Sequence, residues 1–130
     1  KTQRREYVRV DTVIEVKYEL VEEKLKKQNF EDFSPKHKAI GLNISGSGIM
    51  LVAKKSIPEG QYLIMEFEID IKGDSHLIKV GGVVMRSITE EYDGAKRHLA
   101  GIMFCNISER VRDVIIGFVF ERMITSMRRT

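Results

Sequence analysis

The sequence predicts an all-β domain with a terminal helix: six antiparallel strands rolled into a barrel and closed by a C-terminal α-helix. Three observations lead there. Apolar and polar residues alternate through long stretches, the period of a half-buried strand. Short Gly-, Asp- and Ser-bearing segments punctuate those stretches as hairpin turns would. Only the final segment changes period, with Val111, Val114, Ile115 and Phe118 recurring at helical spacing.

The first strand follows from Val8, Val10, Ile14, Val16, Tyr18 and Leu20, interrupted only by Thr12. Its regular part is expected from near Thr12, with residues 1–11 as a flexible, Arg-rich lead-in. Residues 22–38 then form a charged insertion whose few apolar anchors are Leu25, Phe30 and Phe33, and a run of this kind is a solvated excursion. Strands resume at Ala39–Ile44, turn at Ser45-Gly46-Ser47-Gly48, and continue through Ile49–Ala53. Tyr62–Ile71 is a long strand, with Leu63, Met65, Phe67, Ile69 and Ile71 on one face and Glu66, Glu68 and Asp70 on the other. A turn at Lys72-Gly73-Asp74-Ser75 returns the chain along His76–Ile88, where Gly81-Gly82 marks a bulge or sharp bend. Asp93-Gly94 makes the next turn, into His98–Cys105. The helix is expected over 106–128, with Asn106 and Glu109 as a capping box. It carries a second apolar stripe, Ile116, Phe120, Met123 and Met127, which needs either burial in the domain or a partner.

One core suits a chain of 130 residues. Hydrophobic residues at 42 % and charged ones at 32 % describe an ordinary globular protein. No apolar run approaches the ~20 residues of a membrane-spanning helix, so no direct membrane insertion is expected. The single cysteine, Cys105, excludes an internal disulfide, suits a reducing cytoplasmic setting, and reads as a buried structural thiol. A net charge of +3 is too small to argue for a polyanion. The basic excess sits at the ends: Lys1, Arg4, Arg5 and Arg9 against Glu6, and Arg122, Arg128 and Arg129 with no acid nearby.

Nothing points to catalysis. His37, His76 and His98 lack a second ligand at metal-binding spacing, and no metal or cofactor is expected. There is no nucleophile elbow and no Walker-type loop. Two segments remain. In the first, Arg5 and Arg9 stand four residues apart beside Arg4. A guanidinium fork matches phosphate oxygens and the O6/N7 edge of guanine, and its flat face stacks on bases. In the second, Asn43 and Ser45 share a face at a strand end, while Gly46 and Gly48 permit close backbone approach. Either alone reads as a basic terminus or a plain turn.

Together they resemble the two-part signature of the PilZ family: Arg-x-x-x-Arg before the first strand (Arg5, Arg9), then Asp/Asn-x-Ser-x-x-Gly at a strand-to-strand turn (Asn43, Ser45, Gly48). Asn106-Ile107-Ser108 repeats the triplet, but position 111 is Val and a helix follows. The likeness extends through Ile57-Pro58-Glu59-Gly60, Val83-Val84-Met85-Arg86, Gly101-Ile102-Met103-Phe104 and Phe120-Glu121-Arg122. Ile107-Ser108-Glu109-Arg110 and the helix look most like the flagellar-brake type, which carries a separate N-terminal domain; a chain opening on Lys1 fits a piece of such a protein. The long insertion and Asn43, where Asp is commoner, are departures.

The resemblance implies a receptor for cyclic di-GMP, not an enzyme. Arg5 and Arg9 would grip phosphates and guanine edges, Asn43 and Ser45 would read a guanine, and Gly48 would leave room for the ring. Arg4 goes with a stacked pair of ligands. Binding would draw the lead-in onto the barrel and regulate a protein partner, with the flagellar motor or stator as the expected target. The alternatives are an adaptor of this fold that binds only protein and a small-barrel RNA binder. For the last, Tyr7, Tyr18, Tyr62 and Tyr92 do not cluster as a stacking platform, so no nucleic acid polymer is expected.

Overall fold

The computed structural model describes residues 7–22 and 33–128. Six strands, β1 (Arg9–Val21), β2 (His37–Ser45), β3 (Gly48–Ala53), β4 (Tyr62–Ile71), β5 (Asp74–Tyr92) and β6 (Ala95–Cys105), precede one helix, α1 (Glu109–Arg128). Every neighbouring pair is antiparallel. The ring order β1-β2-β3-β6-β5-β4 closes where β1 pairs with β4, from Val16↔Phe67 to Val21↔Tyr62. Closure gives each strand a paired neighbour on either side over part of its length.

Alternation sets what fills the ring. Thr12, Ile14, Val16 and Tyr18 point in from β1, and Leu63, Met65, Phe67 and Ile69 from β4. Ile115, Phe118 and Val119 of α1 join the same core at one end of the barrel. Arg122 ties the helix to β1: its Nη2 donates to Thr12 Oγ1 at 3.1 Å, and its guanidinium lies 5.4 Å from the Phe118 ring centre. The Lys72 amide, at the tip of the β4–β5 hairpin, donates to Glu121 Oε2 at 2.9 Å.

Three strands carry register irregularities, and they decide what faces out. On β1 the pairing shifts between Asp11 and Ile14, which leaves Val13 75 % exposed. On β2 the pairing with β3 shifts between Gly41 and Asn43. Ala39 and Gly41 are buried before the shift and Ile44 after it, so Asn43 faces out. On β5 the pairing with β6 shifts between Val84 and Arg86, with Met85 as the extra residue. A bulge of this kind re-aims the side chain that follows it.

Several expectations change in detail. β1 begins at Arg9 rather than near Thr12, so residues 9–11 belong to a strand. The insertion is shorter than 22–38: His37 and Lys38 open β2, and the His37 ring lies 5.3 Å from that of Tyr18. Residues 23–32 lie outside the described chain. Gly81-Gly82 stays in register with both neighbours, and the bulge falls at Met85. Gly82 answers a packing demand, since a β-carbon there would lie 2.5 Å from Ile102 Cγ2. The helix starts at Glu109, not at 106, and Ser108 caps it by accepting from the Val111 amide at 3.1 Å. Asn106 instead takes a positive φ of 56°, turning the chain out of β6. Cys105 is half-buried rather than enclosed. The second helical stripe divides: Met123 packs on the core and Ile116 reaches Gly46, while Phe120 and Met127 are exposed.

Candidate functional site

The β2–β3 turn is built by its own polar groups. Ser45 Oγ accepts from the Ser47 amide at 3.1 Å, and the two serine hydroxyls lie 3.0 Å apart. The Ser47 carbonyl then accepts from the Phe104 amide at 2.9 Å, which fastens the turn to the end of β6. Gly48 follows at a point of very close approach: any β-carbon there would run into the Ile102 carbonyl oxygen. Glycine is therefore required by the β3–β6 pairing itself, before any ligand is considered. Gly46 makes room for the Tyr7 ring and for Ile116.

Beside this turn lies an open groove of about 290 Å³ on the outer face of β2, β3, β6 and β5. Arg9, Asn43, Ser47 and Gly48 line one side, Met85 and Arg86 the other, with Met50, Gly101 and Met103 between. The strand pairings bring the two motifs together, since Arg9 is opposite Ser45 and Asp11 opposite Asn43. Ser45 does not open into the groove. It is 0 % exposed, and its hydroxyl is engaged in the turn.

A larger groove, about 510 Å³, lies between Glu15, Lys17, Lys38, Glu66, Glu68 and Leu77. Acids and bases alternate across it, which suits a solvated sheet face. Among the described residues no three His, Cys, Asp or Glu side chains gather as a metal site. No helix among them is long and apolar enough to cross a membrane.

The PilZ domain family model matches residues 3–121, a span that includes both motifs. The chain belongs to the PilZ family. Comparison with curated protein sequences gives no match. Among solved structures, the Bacillus subtilis inhibitor of motility MotI/DgrA is similar with a TM-score of 0.74 at 19 % identity, over 95 % of this chain and 53 % of that one. The PilZ domain of Escherichia coli YcgR with c-di-GMP gives 0.67 at 15 %, over 98 % of this chain and 97 % of that one. Escherichia coli YcgR in complex with c-di-GMP gives 0.59 at 16 %, over 98 % of this chain and 47 % of that one. At these identities the likeness is one of fold. This PilZ domain spans about half the length of the MotI and YcgR chains.

Of the residues named from the sequence, the PilZ domain gathers Arg9, Asn43 and Gly48 at one groove and places Ser45 just beneath it. Arg4 and Arg5 lie outside the described residues. Tyr7, the first described residue, is latched: Arg112 Nη1 of α1 donates to its hydroxyl at 3.1 Å and the guanidinium sits 5.3 Å from its ring centre. Sequence reasoning missed Ser47, Arg86 and the methionines of the groove. Ser47 lay inside the quoted turn but carried no signal of its own. Arg86 gave none either, because only the bulge at Met85 sets its direction.

Proposed function

We propose that this PilZ domain is a receptor for cyclic di-GMP. The observation that carries the proposal is the meeting of Arg9, at the start of β1, with Asn43 and Gly48 of the β2–β3 turn on one open groove. Arg9 supplies a planar fork for phosphate or for the guanine O6/N7 edge. Asn43 offers an acceptor and a donor to a base edge. Ser45 orders the turn on which Asn43 and Gly48 stand. The groove alone is at the small end of ligand sites, and the Arg-x-x-x-Arg pattern of the sequence adds the Arg5 guanidinium, beside Arg4, to the groups offered to the ligand. Hydrogen bonds to charged groups contribute about 1.5–3 kcal/mol each, and a few of them reach the roughly −8 kcal/mol of a micromolar complex after ordering costs.

The output is a regulated protein partner, not a reaction. The named similarity to MotI, an inhibitor of motility, makes a motility apparatus the partner we propose. Tyr7 gives the route, because it joins the lead-in to α1 through Arg112. Titration calorimetry with cyclic di-GMP tests the reading. Saturable binding is expected, with Arg5→Ala and Arg9→Ala each weakening it at least tenfold while the thermal transition stays in place. Unchanged affinity in both variants overturns the assigned grip.

A further inference from the structure

Helix α1 has two faces. Ile115, Phe118 and Val119 are buried against the barrel. The opposite face carries Asp113, Gly117, Phe120, Ile124 and Met127, at steps of four, three, four and three residues. Those steps are the period of about 3.5 residues that marks a seam between two helices. Phe120 and Ile124, at the centre, are 54 % and 49 % exposed, and Met127 continues them outward. Gly117 is a second, independent sign. Glycine weakens a helix interior, and packing within the chain gives no reason for it here, since a β-carbon would meet only Ile71 Cδ1, at an ordinary 3.8 Å. It leaves a notch in the seam where another helix can come close.

The geometry points to a second copy of this chain as the occupant, its α1 packed antiparallel on this one about a two-fold axis. Charge selects both the partner and its direction. In the antiparallel register Phe120 stands across from Ile124 of the second copy, and Gly117 across from its Met127. The positions flanking that seam are then Glu121 on one helix and Arg128 on the other, opposite in sign and repeated by the symmetry. A parallel pair would set the two Asp113 carboxylates together in the seam. The antiparallel pair turns each of them toward the basic last turn of the other helix, where Arg128 lies. From residue 113 to residue 127 the seam is about 21 Å long, at about 1.5 Å per residue. A contact this short is at the low end of interface sizes, so the dimer is weak and forms between micromolar and millimolar concentration. No seam residue lines the groove beside the β2–β3 turn, so association does not depend on the receptor reading.

Sedimentation equilibrium of the chain without added ligand tests it. The mean mass is expected to climb from 15.0 kDa toward twice that value between micromolar and millimolar concentration. Ile124→Glu puts a carboxylate into the seam and is expected to hold the mass at the monomer value throughout, with the melting temperature of the dilute protein unchanged. Glu121→Lys and Arg128→Glu each set like charges across the seam, and each alone is expected to weaken association about tenfold. An equimolar mixture of those two variants returns opposite charges to both flanks and is expected to associate as the parent does. That recovery separates the seam from any loss of the Glu121 bond to the Lys72 amide, which mixing cannot repair. A parent chain that stays monomeric to millimolar concentration overturns the proposal and leaves the face to a different partner. A mixture no tighter than its two components overturns it as well.

Discussion

A single methyl group at position 48 has nowhere to go, because the Ile102 carbonyl oxygen occupies the place a β-carbon would take. Gly48→Ala is therefore expected to lose about 1–3 kcal/mol, the usual cost of overpacking, as a lower urea midpoint with unchanged slope. Gly101→Ala, a substitution of the same chemistry one strand away, is expected to cost nothing, since only an ordinary contact awaits it. The motif glycine was legible in the sequence as a position, but its reason was not, because that reason is a backbone atom of a distant strand. Tyr18 was legible in both respects: alternation places it inside, where burial raises its hydroxyl above the ordinary value of about 10. The phenolate is thus disfavoured in the folded state. Stability from this group is fully present below pH 10 and is lost as pH rises through the raised value. Melting temperature should hold level from pH 7 to 9 and fall above 10, and Tyr18→Phe should fall less.

At the scale of the element, the strands were read well and their ends and irregularities poorly. β4 was legible to the residue because Met65 through Ile71 alternate without exception. The bulges were not, since an extra residue on β2 or β5 is fixed by pairing with β3 or β6 and leaves no local mark in composition. Each of Asn43 and Arg86 follows such a bulge, and Asn43 could be named only because it stands in the Asn-x-Ser-x-x-Gly pattern. The helix start failed for a different reason. Asn106-Ile107-Ser108 offers two capping residues, and a capping box with Glu109 favoured the first, but Asn106 is consumed by the turn at φ 56° and Ser108 accepts from the Val111 amide. Ser108→Ala is accordingly expected to cost about 1 kcal/mol. Asn106→Gly, at a conformation glycine takes freely, should leave the urea midpoint nearly in place.

For the whole molecule, barrel and helix are one body. Ile115 is fully buried among residues of the strands, and α1 packs on β1, β2 and β4. Ile115→Ala is expected to lose about 2–5 kcal/mol in a single transition that far-ultraviolet dichroism and tyrosine fluorescence report at the same midpoint. Beyond Val84, β5 leaves β4 behind, and residues 90–92 and 95–97 pair only with each other. The resulting ribbon ends in a tight reversal at Asp93 and Gly94, both at positive φ. Among the described residues, none but Gly94 and its two chain neighbours comes within 4 Å of where a Gly94 β-carbon would be. That projecting tip is a natural splice point. A short foreign epitope inserted between Asp93 and Gly94 lengthens a loop at little entropic cost, so an antibody could report on the domain in a living cell while barrel and groove stay undisturbed.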